Sequence, residues 1–256
     1  AQKTTKRSAI VDNVRMVDYM RTIQNAIEMI DETSDEIKDS SKLSDLEKEK
    51  LLRLHRETKN AIKLKLATSV RNTDLFGISS IAKEGIYLNA ESMKLIGASQ
   101  KTGGGQILPL SNLGRMAVTE QIAEQRDREV SRIASQENLS FDEAYDRFVD
   151  NVETGYYDKV ELKLFSSSSK DINDLAEAYL TSAANEYDTG RVNPITNKKI
   201  KGLGLEKYIQ ETGKKVVDNT LTLSDLRKSL ASIIGGDVTL GSKAQRKTLA
   251  QTLLGH

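Results

Sequence analysis

A chain of 256 residues with 38% hydrophobic but only 5% aromatic side chains can bury one large core or two small ones, built mostly from aliphatic groups. With no cysteine, a disulfide framework and any thiolate metal site are excluded, and two histidines, His55 and His256, cannot build a His-rich metal centre. The formal charge of +1, from 38 basic and 37 acidic residues, is not the global excess of a protein that coats nucleic acid. Acid is concentrated at 28–49 and 137–153, and base at Lys3–Arg7, at Arg191–Lys215 and in the tail from Arg227, a distribution that allows a one-sided basic face. No apolar run reaches membrane-span length, and no signal-peptide pattern is visible.

Ile10, Val14, Val17, Ile23, Ile27 and Ile30 recur at helical spacing and predict an amphipathic helix over 8–31. The polar stretch 32–43 reads as a linker or loop. Ser44-Asp-Leu-Glu47 is a capping box, in which the serine side chain and the glutamate three residues on satisfy each other's backbone N–H groups. It opens a long helix through Leu51, Leu54, Ile62 and Leu66 to Val70. His55, flanked by Arg53 and Arg56, is expected on its solvated face. After Gly77 the period changes. Ile86-Tyr-Leu88, Lys94–Gln100 and Gln106–Leu110 predict a small antiparallel sheet, with the Lys101-Thr-Gly-Gly-Gly105 turn at a hairpin tip and Pro109 at a strand end or edge. The triple glycine is no Walker loop, because no Gly-Lys-Ser/Thr comes after it. Helix is predicted again over 111–137, and Ser140-Phe-Asp-Glu143 is a second capping box opening a helix to about Val152. Residues 154–169 read as irregular, ending in a serine run that resembles a mobile loop. Two more helices are predicted over 171–187 and 203–213. Between them, Tyr187–Lys201 is turn-rich and basic, the composition of a loop that meets phosphates or of a merely solvated one. Thr222 or Ser224 caps a helix that Gly235-Gly236 ends. Ser242 caps a last helix, from Lys243 to Leu254. No internal repeat is present. The fold class is therefore α+β, mainly helical, with a small antiparallel sheet.

The stretch Thr68-Ser-Val-Arg71-Asn-Thr-Asp74-Leu-Phe-Gly77 ends an apolar helical run with an arginine and a carboxylate three residues later. Such a pair is ordinarily a surface ion pair. It gains meaning from three residues further along the chain: a lysine on a hairpin, an arginine opening a helix, and a histidine after a Leu-Gly turn. Leu66–Ile78 resembles the first catalytic-arginine segment of the tyrosine recombinases, the phage-integrase family. Lys94–Ser111 is similar to that family's β-hairpin, Ser224-Asp-Leu-Arg227-Lys-Ser-Leu-Ala-Ser to the box of its second arginine, and Leu253-Leu-Gly-His256 to its Leu-Gly-His turn. The resemblance spans roughly 43–256.

The resemblance implies phosphoryl transfer on duplex DNA with no cofactor and no metal: site-specific recombination by strand cleavage and rejoining through a phosphotyrosyl intermediate. Arg71 and Arg227 would clamp the scissile phosphate, since the rigid guanidinium fork matches two non-bridging oxygens. Lys101 would protonate the leaving 5′-oxygen. His256 would donate a hydrogen bond to a phosphate oxygen, and Asp74 would support Arg71. Arg191, Lys198, Lys199, Lys201, Lys228 and Arg246 would contact DNA. Self-association on DNA as a dimer or tetramer and no membrane partner are implied. So is a cytoplasmic, nucleoid-associated location or the cytoplasm of a host cell. Residues 1–42 would be an N-terminal helix and linker, a remnant of the family's core-binding domain, and 43–256 the catalytic domain with a helical insertion around 138–190.

The chain departs from the family pattern in three ways. Ser224 stands where the family usually carries a histidine, three residues before the second arginine. The stretch between hairpin and Arg227 is long. None of the eight tyrosines lies shortly after the Leu-Gly-His turn, where the family's nucleophile is found. The expectation is a catalytic-domain fragment that binds DNA without cleaving it. Two relatives of the same fold stay open: a telomere resolvase, which forms hairpin ends, and a non-catalytic DNA-binding protein. A helical scaffolding protein, with Arg71, Lys101 and Arg227 as scattered surface charges, is the alternative outside the fold.

Overall fold

The computed structural model describes residues 16–79, 86–89, 94–98, 105–158, 160, 162–185, 221–236 and 238–253. They form a mainly helical protein with one three-stranded antiparallel sheet. The chain divides into two compact units, one made of 1–69 with 169–256 and the other of 70–168.

The first unit is helical. Helix α1 (Met16–Asp39) buries Ile23, Ala26, Ile30, Thr33 and Ile37, a stripe at the helical period. The stretch 32–43, expected as a linker, is thus helical as far as Asp39. Its polar residues are compatible with helix because Thr33 and Ser34 turn their hydroxyls back onto the Met29 and Ile30 carbonyls, at 2.9 and 2.7 Å. Tertiary burial of Thr33 and Ile37 supplies the rest. Residues 8–15 of the expected helix lie outside the described residues. Helix α2 (Asp45–Thr68) starts at Ser44 through the capping box foreseen from the sequence. Its burial extends beyond one stripe, taking in Ala61, Ile62 and Leu64 together with Glu57, Asn60 and Lys65. That is a result of its position, since α2 packs against α1 and against α6 (Ser169–Asn185) and α7 (Leu223–Gly236), which lie far along the chain. Each fully buried Ile or Leu in this core contributes roughly 1.5–3 kcal/mol. Helix α8 (Lys243–Leu253) lies on α7. The serine run 166–169 leads directly into α6, whose first residue is Ser169.

His55 is buried, not solvated. Its Nδ1–H donates to the Leu51 carbonyl at 2.7 Å, because a carbonyl can only accept. Nε2 is therefore the acceptor, and it receives the Tyr179 hydroxyl of α6 at 3.0 Å. Burial pushes the imidazole below its ordinary range, opposed by the Leu51 hydrogen bond. The Tyr179 phenol is pushed up by burial, a Thr33 hydrogen bond opposing and the Glu36 charge adding to the rise. As pH falls below about 6.5, the unfolded chain takes up a proton at His55 that the folded chain refuses. Stability should therefore decline from neutrality through that value and level off below the folded-state pKa. Urea midpoints at pH 7.5 and 5 check this against His55→Gln, which should flatten the difference. An equal slope in the variant would assign the acid sensitivity to other groups.

The second unit begins with α3 (Asn72–Phe76). Strands β1 (Ile86–Asn89), β2 (Lys94–Ala98) and β3 (Gly105–Pro109) come next, in the order β1-β2-β3. Leu88, Leu95 and Leu108 stand in one cross-strand row, with Leu95 fully buried, while Ile96 and Ile107 occupy the next row, where Ile107 is exposed. Pro109 is the last residue of the edge strand β3, opposite Lys94 of β2, one of the few places in a sheet that tolerate proline. The sheet is tied to its surroundings by Leu88 N–H to the Ser79 carbonyl at 3.2 Å, and Leu164 N–H donates to Ile78 at 3.0 Å. Helices α4 (Asn112–Glu137) and α5 (Phe141–Glu153) form a hairpin around Val130, Ile133 and Ala144. Asn138 takes the left-handed turn at the end of α4, and Ser140 caps α5 through its box. No helix among the described residues is long and apolar enough to cross a membrane.

Candidate functional site

Of the two arginines singled out by the sequence, Arg71 caps the start of one helix and Arg227 lies in the second turn of another. Ser69 ends α2 in the left-handed conformation, at φ 52°, with its N–H on the Lys65 carbonyl at 2.9 Å. A non-glycine residue held there costs of order 1 kcal/mol or more. Three residues, Ser69 to Arg71, lie between α2 and α3, with Val70 buried and Arg71 at the N-cap. The Arg71 carbonyl accepts from Leu75 N–H at 2.8 Å, and its side chain is half-buried. Asp74, in the first turn of α3, is buried, where the positive end of a helix favours a carboxylate. Both residues belong to the unit formed by 70–168.

Arg227 lies on α7. The helix starts at Thr222, whose hydroxyl accepts from Asp225 N–H at 3.3 Å while the Asp225 carboxylate accepts from Thr222 N–H at 3.1 Å. Thr222 is therefore the cap and Ser224 is not. Leu223 and Leu226 anchor this turn in the core, Ser224 faces solvent, and Arg227 is half-buried. Lys228 is the next residue on the same helix. Arg246 sits on α8, half-buried, with Nη1 donating to the Gly241 carbonyl at 2.9 Å. The Ser242 cap is closed by Gln245, whose side chain takes the Ser242 N–H at 2.8 Å. These residues belong to the unit of 1–69 and 169–256. Lys101, His256, Arg191, Lys198, Lys199 and Lys201 lie outside the described residues.

Two charged features were not singled out from sequence. Arg132 grips Glu129 with two bonds, at 2.6 and 2.8 Å, and the Tyr157 hydroxyl donates to the same carboxylate at 3.0 Å. The hydrogen bonds from Arg132 hold Glu129 below the usual carboxylate range, and burial with the Glu129 contact pushes the Tyr157 phenol up to about 12. With its partners in place this cluster is a brace between α4 and the 3₁₀ turn Tyr156–Asp158. The second feature is a cleft of about 550 Å³ at the end of α1, lined by Glu32, Asp35, Glu36 and Asp39 together with Lys42. Its carboxylates repel a phosphate. Among the described residues no group of three or more His, Asp or Glu is arranged to hold a metal. Comparison of the chain with known protein families, with curated proteins and with solved structures returns no match.

Proposed function

We propose that this chain carries the phosphate-clamp part of a tyrosine-recombinase catalytic domain, without the tyrosine nucleophile, and binds duplex DNA without metal or cofactor. The observation that supports the reading is the setting of the two arginines. Arg71 opens a helix directly after the apolar α2 and just ahead of a three-stranded antiparallel sheet, and Arg227 sits in the first turns of a helix anchored in the core. Both are half-buried, and a guanidinium offers a rigid fork of donors suited to two phosphate oxygens. In this reading an arginine of this kind neutralises charge that builds on a phosphate as the attacking oxygen arrives. Asp74 orients Arg71 from the buried side, Lys101 delivers a proton to the leaving 5′-oxygen, and His256 donates to a non-bridging oxygen. Lys228, Arg246 and the basic stretch with Arg191, Lys198, Lys199 and Lys201 steer the duplex. Copies assemble on the DNA, and the setting is the cytoplasm.

Binding to a duplex oligonucleotide should weaken steeply as salt rises, because each phosphate contact by Lys or Arg releases a counterion. A titration at several salt concentrations measures the slope, and salt-independent or absent binding would count against a DNA partner. In a chain that includes the tyrosine after the Leu-Gly-His turn, Lys101→Ala should stall cleavage of ordinary DNA. A substrate whose leaving group is 5′-sulfur should be cleaved at close to the unsubstituted rate, since a thiolate leaves with little protonation. Absence of rescue removes the proton-donor role.

A further inference from the structure

Helix α5 is amphipathic, but α4 covers only part of its apolar face. Ala144 points into the shared core and Phe148 packs against it. Phe141 (54% exposed), Tyr145 (39%) and Val152 (52%) do not, nor does Tyr156 (45%) just beyond the helix. At about 100° per residue, Phe141, Tyr145 and Val152 fall within about 40° of each other and form a single row roughly 17 Å long. The aromatic surface is continuous: ring centres are 6.4 Å apart for Tyr145 and Phe148, 5.3 Å for Phe148 and Tyr157, and 5.2 Å for Tyr156 and Tyr157. Single exposed apolar residues are ordinary on a protein surface, but a continuous row of large ones marks a place where another molecule sits.

The sequence also says what kind of molecule. Every exposed apolar residue of the row is followed by an acid, in the doublets Phe141-Asp142, Tyr145-Asp146 and Val152-Glu153. Consecutive helical positions lie about 100° apart, so the acids form a second row parallel to the first. Asp142, Asp146 and Glu153 are all exposed. Between 141 and 158 six carboxylates (Asp142, Glu143, Asp146, Asp150, Glu153, Asp158) stand against one cation, Arg147, a formal charge of −5. An acidic margin repels nucleic acid and anionic lipid, and favours a cationic protein surface. A cation already lies near the aromatic row, with the Arg126 guanidinium 5.9 Å from the Tyr145 ring centre.

We propose that this face of α5 docks a basic amphipathic helix of a partner protein. Apolar side chains of that helix, spaced three, four and seven residues apart, pack on Phe141, Tyr145, Val152 and Tyr156. Its lysines or arginines pair with Asp142, Asp146 and Glu153. The inference stands on the unit of 70–168 alone and does not depend on the recombinase reading.

The test uses the 256-residue chain and a fluorescein-labelled Leu/Lys peptide of about 18 residues, five helical turns, with its leucines on one face. One control peptide has the same composition with leucines dispersed round the helix, and another has Glu in place of Lys. Fluorescence anisotropy should show binding of the one-faced cationic peptide and at least about tenfold weaker binding of both controls. Tyr145→Ser with Tyr156→Ser should weaken the first peptide at least about tenfold at unchanged charge. Asp146→Asn with Glu153→Gln should weaken it and flatten its salt dependence. All four positions are exposed, so the variants should keep the parent's helical circular dichroism. Equal binding of the dispersed peptide, or unchanged affinity in the tyrosine variant, overturns the proposal in favour of undirected charge attraction. A concentration-dependent dimer of the chain that the tyrosine variant abolishes also overturns it, by assigning the face to a second copy.

Discussion

Substituting Arg227 with alanine is expected to slow strand cleavage by about three orders of magnitude or more, the usual cost of removing a guanidinium that stabilises a phosphoryl transition state. The proposed chemistry has no metal to spread the charge, so two arginines carry what a divalent ion does elsewhere. Arg227 suits the role because it lies in the first turns of α7, a helix anchored by Leu223 and Leu226 and closed by the Thr222–Asp225 cap. A lysine at the same position has one charged point in place of a planar fork, so Arg227→Lys should recover little of the rate. The measurement is single-turnover cleavage of a nicked duplex by a chain that includes the attacking tyrosine. Duplex affinity and urea stability are followed beside it. Loss of rate with folding intact supports the assignment. Cleavage by Arg227→Ala at the parent rate would remove Arg227 from the phosphate clamp.

Truncating Tyr179 to alanine is expected to cost about 3–5 kcal/mol, since it opens a cavity where a large ring was fully enclosed. Tyr179 also supplies the hydrogen that His55 Nε2 accepts at 3.0 Å, and its ring meets the imidazole edge-on at 5.8 Å. Tyr179→Phe keeps the ring and removes only the donor, so it should cost about 1–3 kcal/mol, the penalty of leaving a buried acceptor unmet. Domain stabilities are about 5–15 kcal/mol, so the alanine variant should be partly unfolded at mild temperature and the phenylalanine variant folded. Urea titrations of both check the ranking. Equal losses in the two variants would show that the hydrogen bond, not the ring, dominates.

His55 also shows where sequence reading succeeds and where it stops. The caps at Ser44, Ser140 and Ser242 were legible because each is a local device, complete within four residues. The sheet was legible from alternation and glycine-rich turns, and Pro109 fell where a missing donor does least harm. The burial of His55 was not legible. Its neighbours Arg53 and Arg56 suggest solvent, and what encloses it is Tyr179, contributed by a helix 124 residues further on. The continuation of α1 through polar residues was hidden for the same reason, since Thr33 and Ile37 are buried by tertiary packing. At the candidate site, the place of Arg227 near a helix start could be read from nearby punctuation, whereas Arg71 reads from sequence as the end of a helical run and proves to cap the short helix α3. The half-burial of both could not, because it depends on packing contributed by other elements.

The division of the chain has a consequence for its synthesis. One unit is assembled from 1–69 and 169–256, while the whole of 70–168 belongs to the other. On the ribosome, α1 and α2 emerge well ahead of α6 and α7, the helices packed against them. At about 5–20 residues per second, translation from the end of α2 to the end of α7 keeps that hairpin waiting for roughly 8–34 s. The unit of 70–168 is continuous in sequence, so it can close before 169–256 are made. The earliest helices are therefore the ones most exposed to chaperones and to misassembly between nascent chains.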